Sequence, residues 1–269
     1  MAGLEFLIEK VMQKKELSSL NKEFVKEEIL NCLRKNNLSV DRLHNLKLGD
    51  FRLIIKETRK SLRKFSGSFQ KNAKKGHFFL KKNNIEELLK THSSTKERFS
   101  DYSEIFNEIK NLKIKSILDI GSGLNPLAFS RFFPDAEYHA LDINESDISI
   151  VNEFFKKENI KGSAFVYDIR KIKADNLPST DLCLLFKIFD IIETKEHKLA
   201  EKIILNLNCK YLLISFSTKT LSGKPMNHPQ RGWVERLLSR LGFSFRFFKI
   251  KNEIFYLASK EPILGDKKI

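Results

Sequence analysis

Two glycines follow a short apolar run in the middle of the chain. Residues 116–123 read SILDIGSG and continue into Leu124, Asn125 and Pro126. A buried strand that turns at Gly121 and Gly123 and enters a helix at a proline brings its backbone close to a ligand at the carboxyl edge of a parallel sheet. The third glycine of the dinucleotide fingerprint would fall at Pro126, which disfavours a pyrophosphate ligand.

Acidic residues end the next two apolar runs. Asp142, followed by Ile143, closes YHALDI, and Asp168, followed by Ile169, lies in FVYDI. Parallel strands end at the same edge of a sheet, so these residues should lie close together. There, Asp142 can accept hydrogen bonds from both ribose hydroxyls, while Asp168 and the N–H of Ile169 can bind the edge of an adenine. With the glycines they predict a nucleoside site, and S-adenosylmethionine is the hypothesised ligand. The alternative for each aspartate is a helix N-cap.

The elements that must position these residues begin near residue 113, where short apolar runs start to alternate with amphipathic segments. The runs predict strands at 116–120, 138–143, 164–168, 181–188, 211–217, 244–251 and 253–259. The segments between them predict helices at 126–133, 146–158, 194–207 and 232–241. A short polar turn near Asn252 makes the last two strands antiparallel. We therefore expect an α/β fold of the class I methyltransferase type, a Rossmann-like seven-stranded sheet with an antiparallel last strand.

An all-helical region is predicted before the sheet, because apolar residues recur every three or four positions over residues 2–112. Within it, residues 42–75 hold eleven Lys/Arg and two Asp/Glu. Six of these cations share one face of a helix, opposite Leu53, Ile54, Leu62 and Phe65: Arg52, Lys56, Arg59, Lys60, Arg63 and Lys64. Such a face predicts binding to an RNA backbone. A solvated face and a membrane-surface helix are the alternatives.

Composition narrows the classes of protein to which this chain can belong. The formal net charge is +15 with a pI near 9.6, which favours a polyanionic partner, although a lysine-rich proteome would give the same surplus. No apolar run is long enough for a transmembrane helix, and the first residues lack a signal peptide's apolar core. Three distant cysteines, Cys32, Cys183 and Cys209, predict neither a disulfide framework nor a metal site. We expect a cytoplasmic protein.

Five segments, in the same order, resemble the ribosomal RNA methyltransferases that confer aminoglycoside resistance by methylating guanine N7 in the 16S decoding site. The resemblance covers about residues 90–240, and its segments are HSSTKER (92–98), ILDIGSGLNP (117–126), YHALDI (138–143), LFKIFDIIE (185–193) and SFSTKTLSGK (215–224). The chain departs from the family pattern at Ser122 in place of Cys, at Asp190-Ile191 in place of Pro-Cys, and at Ser217 in place of Pro.

The resemblance implies that Thr95 and Arg98 reach the methionine end of S-adenosylmethionine. An arginine suits a free carboxylate, since its guanidinium forms a bidentate pair. The alternative is a capping box at a helix start, formed by Ser94 and Glu97, with Arg98 in solvent.

Guanine N7 carries an in-plane lone pair and no proton, so its methylation needs proximity and orientation rather than a general base. Lys187, Phe186 and Phe189 are the candidates for positioning the target base, with a solvated lysine and core phenylalanines as the alternatives. The polar connection 218–231 is a candidate RNA-binding loop, with four residues singled out: Lys219, Lys224, Met226 and Arg231.

The expected organisation is a basic, helical rRNA-binding domain at 1–92, a methyltransferase domain at 93–260 and a basic tail at 261–269. The expected activity, by resemblance, is that of an S-adenosylmethionine-dependent 16S rRNA (guanine(1405)-N(7))-methyltransferase acting on the 30S subunit as a monomer, without a membrane or a stable protein partner. A methyltransferase for another rRNA base, one for a small molecule, and a catalytically silent RNA-binding or ribosome-assembly protein remain alternatives. Transfer of a labelled methyl group separates enzyme from binder.

Overall fold

The computed structural model describes residues 2–45, 47–65, 75–173, 177–193, 197–220 and 223–262. The predicted tail falls almost wholly outside these residues. Three helices form the first part of the chain: α1 (Ala2–Met12), α2 (Lys22–Lys35) and α3 (Leu48–Leu62). They share an apolar core of their own, in which Leu7, Val25 and Ile54 are fully buried. The side chain of Asn21 begins α2 by accepting a hydrogen bond from the N–H of Phe24.

Four short helices lead to the sheet: α4 (Gly76–Lys81), α5 (Ile85–Lys90), α6 (Ser93–Arg98) and α7 (Tyr102–Ile109). Leu80, Leu88 and Ile105 from this group are buried in the same core as the sheet residues Ile117 and Tyr138. We call the described residues up to Phe65 the helical domain, and the domain boundary at residue 92 stays a prediction.

A single seven-stranded sheet carries the rest of the chain, in the order β3-β2-β1-β4-β5-β7-β6. Its strands are β1 (Ser116–Ile120), β2 (Glu137–Asp142), β3 (Gly162–Val166), β4 (Thr180–Phe186), β5 (Cys209–Ser217), β6 (Ser244–Ile250) and β7 (Glu253–Ser259). The first five are parallel, and β7 lies antiparallel between β5 and β6. The predicted fold class is confirmed, and β4 is buried along its whole length because helices cover both faces.

Five helices connect the strands: α8 (Pro126–Phe129), α9 (Glu145–Lys157), α10 (Ile188–Ile192), α11 (Lys198–Asn206) and α12 (Gly232–Arg240). The helix predicted at 126–133 is wrong in its second half, where a 3-10 helix replaces it. The strand predicted to run to residue 188 is wrong at its end. Lys187 has a φ of 58°, a left-handed conformation that stops β4 and begins α10.

The helical domain is hydrogen-bonded to the edge of the sheet. The N–H of Asn21 donates to Ile143 O over 3.0 Å, and the N–H of Glu145 donates to Ser19 O over 2.8 Å. These bonds hold the start of α2 beside the end of β2. In the described part of the chain, no helix is long and apolar enough to cross a bilayer.

Candidate active site

A cavity of about 810 Å³, measured with the space that opens to solvent, lies at the carboxyl edge of the parallel strands. That position is where open α/β sheets bind ligands. Five residues predicted for a nucleoside site lie together in its wall: Gly121, Asp142, Ile143, Asp168 and Ile169. Phe186 and Lys187, predicted to position the target base, line the same cavity.

The glycine loop needs both of its glycines. Gly121 and Gly123 have φ values of 65° and 49°, which side chains disfavour. A Cβ on Gly121 would lie 2.6 Å from Cδ1 of Ile188, and one on Gly123 would lie 2.9 Å from Nε2 of His92. The N–H of Gly121 donates to Leu141 O over 2.8 Å, which ties the turn to β2. The loop therefore places its backbone directly beside Asp142.

Asp142 is held by one backbone bond on each carboxylate oxygen. Oδ2 accepts from the N–H of Gly123 and Oδ1 from the N–H of Asn144, both over 2.9 Å. Burial raises the pKa of Asp142, and these backbone donors act against the shift. Each oxygen keeps a further lone pair for a ligand hydroxyl. The N-cap alternative for Asp142 is wrong, because the side chain of Asn144 caps α9.

Asp168 lies in the cavity wall and also caps a short 3-10 helix, Ile169–Lys171, by accepting from the N–H of Arg170. Its carboxylate is paired with the guanidinium of Arg170, with 2.9 Å between Oδ1 and Nε and 2.8 Å between Oδ2 and Nη2. Asp168 therefore both caps a helix, as the alternative predicted, and lies in the cavity wall.

Thr95 and Arg98 lie beneath the cavity rather than in its wall. Thr95 is fully buried and donates to Leu89 O over 2.6 Å. The Arg98 side chain is 4% exposed and lies 4.7 Å from the centre of the Phe186 ring. The capping-box alternative is wrong: α6 begins at Ser93, and the hydroxyl of Ser94 instead bonds Nδ1 of His92. Binding of a ligand carboxylate by Arg98 stays a prediction.

Glu253 is one charged residue that the sequence reasoning missed, and Arg170, which lines the cavity, is another. Its carboxylate bonds Nε of Arg98 over 3.0 Å and lies 3.6 Å from Nζ of Lys187, which Glu97 also contacts over 2.9 Å. Burial raises its pKa, but Arg98 and Lys187 together hold the pKa below its ordinary value. The predicted antiparallel hairpin could have indicated Glu253 from the sequence. Glu253 is the first residue of β7 and pairs with Ser217 at the carboxyl end of β5.

His92 was not proposed for the site either, although it lines the cavity. Burial, with a smaller contribution from the charge of Arg98, lowers the pKa of His92 to about 4. The ring is therefore neutral at physiological pH and packs against Gly123.

Phe189 and the described residues of the loop after β5 do not line the cavity. Phe189 is 2% exposed and packs against Phe216 and Trp233 in the core. The guanidinium of Arg231 bonds Ser217 O over 3.0 Å and Asp190 over 3.3 Å, so it holds the loop to the sheet. Lys219 and Lys224 are exposed and Met226 is half-buried. RNA contacts by this loop stay a prediction.

The basic face of α3 divides into two groups. Arg52, Lys56 and Lys60 on α3 are exposed, as are Arg63 and Lys64 just after its end, whereas Arg59 is half-buried. The guanidinium of Arg59 donates to the carbonyls of Lys10 and Val11 at the end of α1, and Arg63 pairs with Glu16.

The predicted apolar face of α3 is wrong at one position. Leu53 is 41% exposed, because the helix buries Ile54, Thr58 and Leu62 at four-residue spacing instead.

Known proteins similar to this chain carry consistent descriptions. A curated relative from Proteus mirabilis, "16S rRNA (guanine(1405)-N(7))-methyltransferase", is 28% identical over 182 residues, which are 64% of each chain. One from Serratia marcescens with the same description is 27% identical over 56% of this chain and 60% of its own. The matches thus span less than two thirds of these relatives.

Solved structures extend the comparison to the whole fold. The 16S rRNA methyltransferase RmtF, solved with S-adenosyl-L-homocysteine, aligns with a TM-score of 0.78 and 20% identity over 96% of this chain and 98% of its own. The 16S rRNA methylase ArmA aligns with a TM-score of 0.57 and 26% identity over 70% of this chain and 97% of its own.

The profile of the family described as "Ribosomal RNA methyltransferase (FmrO)" matches residues 55–257, which contain the glycine loop, the seven strands up to Leu257 and the cavity residues other than Leu20 and Phe24. Since the match covers more than half of the chain, the protein belongs to the FmrO family of ribosomal RNA methyltransferases.

Proposed function

We propose that this protein methylates N7 of guanine 1405 in 16S rRNA, with S-adenosylmethionine as the methyl donor and the 30S ribosomal subunit as the substrate. The cavity carries the proposal, because its glycine loop and the carboxylate of Asp142 suit a nucleoside ligand such as S-adenosylmethionine. The family membership and the descriptions of the two curated relatives support the choice of reaction and nucleotide.

The cavity wall fits the donor in three respects. The loop at Gly121 and Gly123 has no room for side chains, so a ligand meets the backbone there. Asp142 retains lone pairs for the two ribose hydroxyls. Tyr167 lines the cavity, and its buried hydroxyl has no hydrogen-bond partner among the described residues. The last feature is typical of a polar group that a ligand satisfies.

The donor supplies an activated methyl group, and the protein has to orient the guanine and exclude water. No proton leaves N7, so no residue needs to act as a base. Phe186 offers an aromatic ring in the cavity wall, and Lys187 offers a cation that Glu253 and Glu97 hold in place. Both suit a target base turned out of its helix.

The exposed cations of α3 suit the phosphate backbone of folded rRNA, which proteins bind largely by shape and charge. We extend the proposal to aminoglycoside resistance, because a methyl group in the decoding site alters the surface to which these drugs bind.

Purified protein incubated with methyl-tritiated S-adenosylmethionine should label 30S subunits. The Asp142→Ala variant should not label them, although it should remain folded. Absence of label on 30S subunits with the wild-type protein would reject the proposed activity, and label on small molecules alone would favour the small-molecule alternative.

A further inference from the structure

The helical domain supplies part of the cavity wall. Leu20, Phe24 and Phe65 lie in the same wall as Asp142 and Asp168. Leu20 is fully buried and Phe24 is 3% exposed, so these side chains give the cavity an apolar wall. An apolar and aromatic wall suits the flat ring of a purine.

Arg170 joins the two halves of this wall. Its Nη1 lies 2.6 Å from Oε1 of Glu28 on α2, while its Nε and Nη2 bind Asp168. The guanidinium carbon lies 4.4 Å from the ring centre of Phe24 and 5.1 Å from that of Phe65. One side chain therefore fixes the position of an acidic cavity residue relative to the helical domain.

The carboxylate of Glu28 is built into the junction. It is 6% exposed and also accepts from the hydroxyl of Ser61 on α3 over 2.8 Å. Burial raises the pKa of Glu28, but Arg170 and Ser61 lower it below the ordinary value. The ion pair is thus charged at neutral pH, and loss of the Glu28 carboxylate would leave the guanidinium of Arg170 paired with Asp168 but detached from α2.

A second set of contacts holds the same domain beside Ile143. The side chain of Asn21 donates to Glu145 over 2.8 Å, and the side chain of Asn144 donates to Ser19 over 3.1 Å. These bonds flank a cavity residue on the chain segment that follows Asp142. The helical domain thus contacts both acidic ends of the predicted nucleoside site.

We propose that helix α2 and Phe65 form the purine side of the donor site, with Phe24 and Phe65 against the ring and Arg170 as the positioning residue that holds Asp168. This inference rests on the proposed use of S-adenosylmethionine. It also links binding of the donor to binding of RNA. Donor binding stabilises the contacts between the helical domain and the sheet, and the same domain carries the cations proposed to bind RNA. Binding of one ligand then favours binding of the other.

The test compares two variants on one helix by calorimetric titration with S-adenosylhomocysteine. Glu28→Gln should weaken binding by about tenfold or more, a range typical of coupling between sites. Glu27→Gln is the matched control, because Glu27 pairs with the neighbouring Lys171 and does not line the cavity. Its affinity should stay within about twofold of wild type.

Phe24→Leu, which keeps an apolar side chain in the core, should also weaken binding of S-adenosylhomocysteine. Hydrogen exchange on the wild-type protein provides a readout that needs no variant. The amides of α2 should gain protection when S-adenosylhomocysteine binds, together with those of the glycine loop.

The inference would be overturned if the wild-type protein binds S-adenosylhomocysteine without added protection of α2, and Glu28→Gln and Phe24→Leu bind it with unchanged affinity. The proposed function would then still stand. Failure of the wild-type protein to bind S-adenosylhomocysteine would reject both.

Discussion

The guanidinium of Arg98 lies against the carboxylate of Glu253, with Nε 3.0 Å and 3.2 Å from its two oxygens. The two residues are 155 positions apart, and both side chains are almost completely buried. The hydroxyl of Ser215 also bonds Glu253, and Lys187 approaches it from the cavity. The pair therefore joins α6, β5 and β7 under the floor of the cavity.

Glu253→Gln should destabilise the protein, because it leaves the buried Arg98 charge without its partner. We expect the free energy of unfolding to fall by about 3 kcal/mol, measured by urea denaturation. Glu97→Gln is the control, since Glu97 pairs with Lys187 from a side chain that is 64% exposed. That exposed pair should contribute less than about 1 kcal/mol. Equal effects of the two variants would contradict a buried ion pair.

The buried imidazole of His92 should make stability depend on pH. Its folded pKa of about 4 is below the ordinary 6.5, so the unfolded chain binds more protons between these values and stability falls as the pH is lowered from 6.5 to 4. Asp119 acts in the opposite direction, because burial raises its pKa to about 6. As the pH is lowered over this range, the free energy of unfolding of His92→Gln should therefore rise by about 3 kcal/mol relative to that of wild type. A constant difference in unfolding free energy would contradict the burial of a neutral ring.

Asp142→Asn should weaken binding of S-adenosylhomocysteine by at least about tenfold. The amide keeps the size of the side chain but replaces an acceptor oxygen that bonds a backbone N–H. Asp135→Asn, at an exposed position before β2, is the control and should bind as wild type does. Calorimetry measures both, and unchanged affinity in Asp142→Asn would remove this residue from the donor site.

Reversal of charge at exposed cations on α3 and just after its end, by Arg52→Glu, Lys56→Glu, Lys60→Glu and Lys64→Glu together, should weaken binding to 30S subunits. Each lost phosphate contact should reduce the slope of log affinity against log salt by about one. Filter binding at several salt concentrations measures both effects. Intact affinity would show that this face is merely solvated.

Arg59→Gln should act differently from those four substitutions. Arg59 donates to carbonyls at the end of α1, so its loss should lower the melting temperature of the helical domain. A scanning calorimetry profile equal to that of wild type would contradict this structural role. This variant separates a role in folding from a role in RNA binding on the same helix.

The predicted sheet and its glycine loop could be read from the sequence because their signals are local. Residues 116–120 and 253–259 form strands as predicted, since apolar runs of five to seven residues that end at polar turns are too short for a typical helix. The left-handed Lys187 could not be anticipated, because a lysine carries no local signal for positive φ. It converts the predicted end of β4 into the start of α10.

The contacts between distant segments could not be predicted. Glu28 and Arg170, or Arg98 and Glu253, are paired by the packing of elements that sequence periodicity does not orient. The same limit explains Leu53: five of the six cations are exposed, but Arg59 is half-buried and the buried stripe runs through Ile54 and Thr58. Tertiary packing decides which face of an amphipathic helix is covered.

The position of the methyl group on the ribosome tests the central claim most directly. After incubation of 30S subunits with the protein and S-adenosylmethionine, borohydride and aniline treatment cleaves RNA at N7-methylguanine, and primer extension locates the break. We expect a single new stop at guanine 1405 of 16S rRNA, absent with Asp142→Ala. A stop at another nucleotide, or methylated RNA that resists cleavage, would contradict guanine-N7 methylation of the decoding site.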